Sequence, residues 1–169
     1  MEVIDNFLPE YHFRQISNMI LGVEFPWYFN DSAVRHGDDS GYQFVHTLYN
    51  VSRGGIISQS YPLFDMVQQK LGVKRLDRIK MNLNPKTVFH RKSGFHTDQR
   101  KSAESVPQHQ QTAVFYINTN NGWTNFKNGD KVESVENRLV IFDSNLEHEG
   151  VTCTDEIRRL VINFNYVPA

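Results

Sequence analysis

At 169 residues, 39% of them hydrophobic and 12% aromatic, the chain has the length of one domain and enough apolar residues for its core. Eighteen Lys and Arg against 19 Asp and Glu leave a net charge of −1, which argues against a protein that coats nucleic acid or an anionic membrane, since both need a broad positive field. The single cysteine, Cys153, excludes internal disulfides, zinc ribbons and iron–sulfur clusters, so any metal must rest on imidazole and carboxylate.

Residues 1–10 carry neither the basic n-region nor the apolar h-region of a signal peptide, and no apolar run approaches the ~20 residues of a membrane span. Together with the lone thiol, this suits a cytoplasmic protein with no membrane association. A first helix is expected over 8–21: Phe13, Ile16, Met19 and Ile20 follow a helical period after Pro9 and Glu10, and Gly22 ends it. A second is expected over 61–71, with Leu63, Phe64, Val67 and Leu71 on one face and Gly72 beyond. The remainder is β-branched and aromatic, cut by Gly, Asn and Asp, and predicts strands at 24–29, 43–49, 78–83, 112–118, 131–135, 138–142 and 159–166. Asn121-Gly122 and Asn128-Gly129-Asp130 supply turns. Helices at the front and strands behind imply a mainly β fold with flanking helices, of the double-stranded β-helix type: a jelly-roll, cupin-like barrel. No repeat or linker divides the chain, so 1–169 reads as one domain, with support over about 1–75 and the barrel core over about 76–169.

Charge is uneven beneath the neutral total. Residues 70–101 hold ten Lys or Arg and two acids, leaving 8 basic and 17 acidic side chains for the rest. This stretch reads more simply as a lysine-decorated strand edge than as a basic mouth for an anionic molecule.

Of the seven histidines, five have no carboxylate at a ligand-like spacing. His12 belongs on the first helix, His36 and His109 in polar loops, His46 inside a strand as a satisfied core group, and His90 in the basic loop. His96 and Asp98 differ. In an extended segment, residues two apart point to one face with Cα atoms ~7 Å apart, so an imidazole and a carboxylate can meet on one ion. His148, between the strands at 138–142 and 159–166, adds a third donor. Two imidazoles and one carboxylate form a facial triad that leaves three coordination positions open, as oxygen chemistry requires. Beyond them, Arg158 and Arg159 open an apolar strand, where a guanidinium can hold a carboxylate in a bidentate pair.

His96-x-Asp98, His148 and the Arg pair resemble the iron(II)- and 2-oxoglutarate-dependent dioxygenases, in particular the small prolyl-hydroxylase-like branch, over about 78–166. The segments 25–28, 78–84 and 137–144 also resemble small dioxygenases encoded by marine bacteriophages, for which the location would be the host cytoplasm. The resemblance implies iron(II) on His96, Asp98 and His148 as the catalytic metal site, 2-oxoglutarate as cosubstrate and dioxygen as oxidant. The products would be succinate, carbon dioxide and a substrate oxidised at a C–H bond. Parity selects Arg159 for the distal carboxylate: with Arg159 inward, Val161, Asn163 and Asn165 follow, while Leu160, Ile162 and Phe164 face the helices. Arg158 is the alternative. Asn82 fits the Asn of an Asn-x-Tyr cosubstrate pair; Asn84 stands where its Tyr would be, and Val161 where a Ser often follows the Arg.

A prolyl or other peptide is the first expectation for the substrate. A nucleic-acid base is the second, with Lys86, Arg91, Lys92, Arg100 and Lys101 on phosphates. Two other classes compete: a non-catalytic cupin-like binding module, supported by the departures at Asn84 and Val161, and a zinc hydrolase, which would leave Arg159 without a role.

Overall fold

The structure is a computed structural model that describes residues 1–32, 41–98 and 109–169. His36, Arg100 and Lys101 lie outside the described residues. Strand alternation sorts side chains to two sides of one large antiparallel sheet. Along the chain come β1 (Glu2–Ile4), α1 (Glu10–Leu21), β2 (Tyr28–Asn30), β3 (Gln43–Asn50) and β4 (Gly55–Ile56). After α2 (Asp65–Lys70) follow β5 (Val73–Pro85), β6 (Gln111–Tyr116), β7 (Trp123–Phe126), β8 (Lys131–Glu133), β9 (Arg138–Asp143), β10 (His148–Val151) and β11 (Arg158–Pro168). The large sheet runs β1-β9-β6-β11-β5-β3-β2, with β4 on β3, and a smaller sheet runs β10-β7-β8. Bridges from Lys92 to Val151 and from His96 to His148 add the segment 92–96 beside β10. Two facing antiparallel sheets joined in this order form the double-stranded β-helix.

Parity on β11 separates two cores. Leu160, Ile162 and Phe164 face outward and pack with Phe13, Ile16 and Ile20 of α1 and with Phe64 and Val67 around α2. Val161 faces inward and joins Val114, Tyr116, Phe126, Val132, Val140 and Phe142 between the sheets. Apolar side chains fill that half of the barrel, whereas the half lined by β5 and the end of β11 stays polar and open. Asn137 anchors the N-terminus: with φ of 59°, its amide accepts from Leu8 N at 2.9 Å and donates to Leu8 O at 2.8 Å.

Several elements depart from expectation. The strand expected over 24–29 appears only from Tyr28, because Pro26 offers no N–H to a ladder. The second helix begins as a 3-10 turn, Tyr61–Phe64, with Pro62 in its first turn, and becomes α-helical at Asp65. β5 extends to thirteen residues, because pairing with both β3 and β11 carries it through the charged positions. β1, β4, β7 and β10 were not expected; with two to four residues each, they are too short for a periodic signal. Among the described residues no helix is long and apolar enough to cross a membrane.

Candidate active site

The paired backbones of His96 and His148 bring two donors together. Each amide N–H donates to the other's carbonyl at 3.0 Å, which sets the rings side by side with centroids 4.5 Å apart. Gly94, at φ +87°, makes the bend before His96 that an L side chain resists. Asp98 N donates to Ser144 O at 3.1 Å, holding the carboxylate beside the pair. The three ligand atoms lie within 4.8 Å of one another, with His148 Nε2 3.8 Å from Asp98 Oδ2.

Both imidazoles are oriented by their own chain. His96 Nδ1 lies 3.1 Å from Gly94 O and His148 Nδ1 3.0 Å from Leu146 O. A carbonyl accepts only, so each Nδ1 carries a proton, and in the neutral ring it is Nε2 that offers its lone pair to a metal. His148 is 3% exposed, packed against Phe142 and Phe126. It is therefore an interior group rather than a surface histidine beside Glu147 and Glu149. Burial pushes its pKa down against the pull of Asp98, which favours the neutral, ligating form.

Asp98 is held by groups that the sequence left unassigned. Arg78 donates to Oδ1 at 3.2 Å; Thr112 and Asn165 donate to Oδ2 at 3.1 and 3.0 Å. Asn165 also accepts from Arg78 Nε at 2.9 Å, and Ser144 shares a 2.9 Å hydrogen bond with Thr112. Burial would raise the carboxyl's pKa, but Arg78, the two imidazoles and the Asn165 hydrogen bond hold it below the usual range. It stays ionised, the form that can hold a metal. For Asn165 the inward parity of β11 was an available signal; for Arg78 and Thr112 none was visible before the strands were paired.

Arg159 lies further along the same face of β11. Its side chain is 3% exposed, donating from Nε to Ser134 Oγ at 2.9 Å and from Nη2 to Thr124 Oγ1 at 3.1 Å, and it lies over the Tyr116 ring. Among the described residues no carboxylate pairs with it, and burial pulls its pKa down. A guanidinium with two neutral partners and no counter-ion is costly unless a ligand supplies the anion. Gly122, expected only as a turn residue, makes room for this arginine. A Cβ there would meet Arg159 Cδ at 2.7 Å and Val151 O at 2.7 Å.

Arg158, the alternative, does not line the cavity. The alternation that turns Arg159 inward turns Arg158 toward the helices, where it donates to Leu21 O at 3.0 Å and closes the end of α1. Asn82 and Asn84 do line the cavity; Asn82 is 9% exposed and, among the described residues, its Oδ1 has no partner.

The cavity that joins these groups measures about 1080 Å³. Among the described residues, Arg75, Arg78, Lys80, Lys86, Arg91, Lys92 and Arg159 line it against Asp77 and Asp98. The simpler reading of the basic stretch as an outer strand edge is thus corrected: β5 and the loop after it turn most of these cations toward the mouth. The remaining described histidines lie elsewhere. His46 is a satisfied buried group, 2.8 Å from Pro26 O and 2.7 Å from Ser58 Oγ. His90 bonds Thr152 O, while His12 and His109 stay outside the cavity.

Structural comparison places this geometry among known folds. The chain superposes on a Pseudomonas putida prolyl-4-hydroxylase with a TM-score of 0.65 at 18% identity, covering 99% of this chain and 92% of that one. The fold is that of the 2OG-Fe(II) oxygenases. It is shared with the viral collagen prolyl hydroxylase of Paramecium bursaria Chlorella virus-1, in a 2OG complex (TM-score 0.63, 13% identity, 99% and 96% covered). A Burkholderia pseudomallei oxidoreductase of the 2OG-Fe(II) oxygenase family has it too (TM-score 0.65, 11% identity, 98% and 84% covered). No protein-family model and no curated protein sequence matches the chain. At these identities the likeness concerns the oxygenase fold, and the chemistry rests on the residues within it.

Proposed function

We propose that the protein is an iron(II)- and 2-oxoglutarate-dependent oxygenase that hydroxylates a C–H bond. The observation that carries this reading is the pairing, in one cavity, of two imidazole Nε2 atoms and an ionised carboxylate with a buried guanidinium that lacks a counter-ion among the described residues. The donor set fits iron(II): two neutral imidazoles and one carboxylate on one side leave positions for a bidentate keto acid and dioxygen. A zinc hydrolase would use the triad but leave Arg159 unanswered.

His96, Asp98 and His148 would hold the metal, with Arg78, Thr112 and Asn165 fixing Asp98. Arg159 would take the distal carboxylate of 2-oxoglutarate. A Cβ on Gly150, two residues from His148 on the same strand, would lie 3.6 Å from Arg159 Nη1, and same-face positions on a strand are ~7 Å apart, a reach suited to a five-carbon diacid. Asn82 would bond the cosubstrate through its unpaired amide oxygen or, rotated, its nitrogen, and Asn84 would flank it. When bound, iron(II) supplies the coupling of dioxygen reduction to decarboxylation of 2-oxoglutarate into succinate and carbon dioxide. The apolar wall of Val114 and Val161 limits water beside the reacting groups.

A peptide substrate is the reading that the prolyl hydroxylases among the structural neighbours support; one of them, from Trichoplax adhaerens, is in complex with a hypoxia-inducible-factor peptide fragment. The test is direct. Anaerobic iron(II) followed by 2-oxoglutarate should give a visible charge-transfer band, and air should then give succinate. Asp98→Ala and His148→Ala should lose iron binding and succinate formation together. No band and no succinate from the wild type would favour a binding module, and wild-type turnover by either variant would overturn the triad.

A further inference from the structure

Within the cavity, Lys80 is a cation that the oxygenase reading does not use. It sits on the inward face of β5, two residues from Arg78 and two from Asn82, opposite Asn163 on β11 and Thr47 on β3. Arg78 is answered by Asp98 at 3.2 Å. Arg159 lies four residues further along β11 from Asn163 and answers the distal end of the cosubstrate. Lys80 has neither an ion pair nor a hydrogen bond among the described residues. Beside it, Asn82 Oδ1, which the cosubstrate reading uses, and Asn163 Oδ1 are both buried without partners among the described residues. Their amide groups can present a nitrogen or an oxygen to the same space. Burial draws the Lys80 amine down to about 8, so at neutral pH it still carries its charge but at a cost.

We propose that the primary substrate presents a carboxylate to Lys80, with the Asn163 amide completing the contact. The inference rests on the oxygenase reading and narrows its substrate class. Charge selects a carboxylate over a phosphate. Among the described residues Lys80 is the one cation without an ion pair beside the Asn163 amide, Lys86 and Arg91 being exposed at the mouth, so a monoanion is neutralised at this point and a dianion would keep a buried negative charge. A neutral prolyl segment would leave Lys80 unanswered; a peptide would satisfy it through an acidic side chain or a C-terminus placed at this point.

The test reads the Lys80 amine itself. In 15N-labelled protein loaded with zinc and 2-oxoglutarate, its Nζ resonance is assigned by its loss in Lys80→Met. Propionate, propionamide and inorganic phosphate are then titrated separately. The expected result is a saturable shift with propionate, none with propionamide, a weaker one with phosphate, and about tenfold weaker propionate binding in Lys80→Met. Equal shifts with propionamide, no shift with propionate, or a stronger response to phosphate would each overturn the carboxylate assignment. A Lys80 shift completed by 2-oxoglutarate alone would instead assign the amine to the cosubstrate and also overturn it. Zinc and 2-oxoglutarate binding by the wild type is measured first. Failure there counts against the oxygenase reading, whereas success there with a silent Lys80 counts only against the substrate inference.

Discussion

Replacing Lys80 by Met should stabilise the protein at neutral pH and remove one specific dependence on pH. The substitution keeps most of the side-chain volume and removes an amine that has no counter-ion among the described residues. An amine at 10.5 in the unfolded chain is drawn to about 8 in the fold. That displacement is worth at most about 3 kcal/mol, less for the solvent that still reaches the group. Below pH 8 both states are protonated and the penalty is complete. Between about 8 and 10.5 the folded state releases the proton while the unfolded state keeps it, so wild-type stability gains on the variant, and above 10.5 the difference has closed. Tyr116 and Tyr166 act in the opposite direction at high pH, because burial pushes both phenols up, Tyr166 to about 12. They are common to both proteins and cancel in the comparison. Urea midpoints of the two proteins at pH 7 and pH 10, at unchanged m, measure the effect. A Met variant less stable at pH 7, or a gap of the same size at both pH values, would refute the reasoning.

Other expectations follow from single contacts. Gly122→Ala should push Arg159 from its seat, since the new methyl would lie 2.7 Å from Arg159 Cδ, and weaken 2-oxoglutarate binding by about tenfold or more in calorimetry; unchanged affinity would mean that Arg159 does not hold the cosubstrate. Asn165→Ala removes one donor to Asp98 and should lower metal affinity by roughly 10–100-fold in a chelator competition. Asn137→Ala breaks both hydrogen bonds to Leu8 and places Ala at φ 59°. It should cost about 2–4 kcal/mol in urea unfolding, and a loss under about 0.5 kcal/mol would show that the N-terminus is anchored elsewhere.

Much of the candidate site was legible because its spacing is local or obeys strand parity. His96 and Asp98 sit two apart in an extended segment, and Arg159 leads a strand whose apolar residues must face helices. The assignment of Leu160, Ile162 and Phe164 outward and Val161 inward follows from residue type alone and agrees with the packing. The jelly-roll class likewise followed from helices at the front and short strands behind. The groups around Asp98 were not legible, because Arg78, Thr112 and Asp98 belong to segments that touch only after β5, β6 and β11 are hydrogen-bonded in register. The basic stretch was misjudged for the same reason: composition counts charges but does not orient them.

By itself, the sequence determined the residue types of the candidate donor set and the inward side of β11, since both depend on residue type and near spacing. Tertiary structure alone decided which cations meet which anions. It paired Arg78 with Asp98 and sent Arg158 to the end of α1. Arg159 and Lys80 were left facing the cavity without a counter-ion among the described residues. Charge pairing acts over a few ångströms, and only the closed sheets bring residues this far apart in the chain to such distances. The near-neutral total therefore conceals a positive cavity, and that cavity is the feature a substrate has to match.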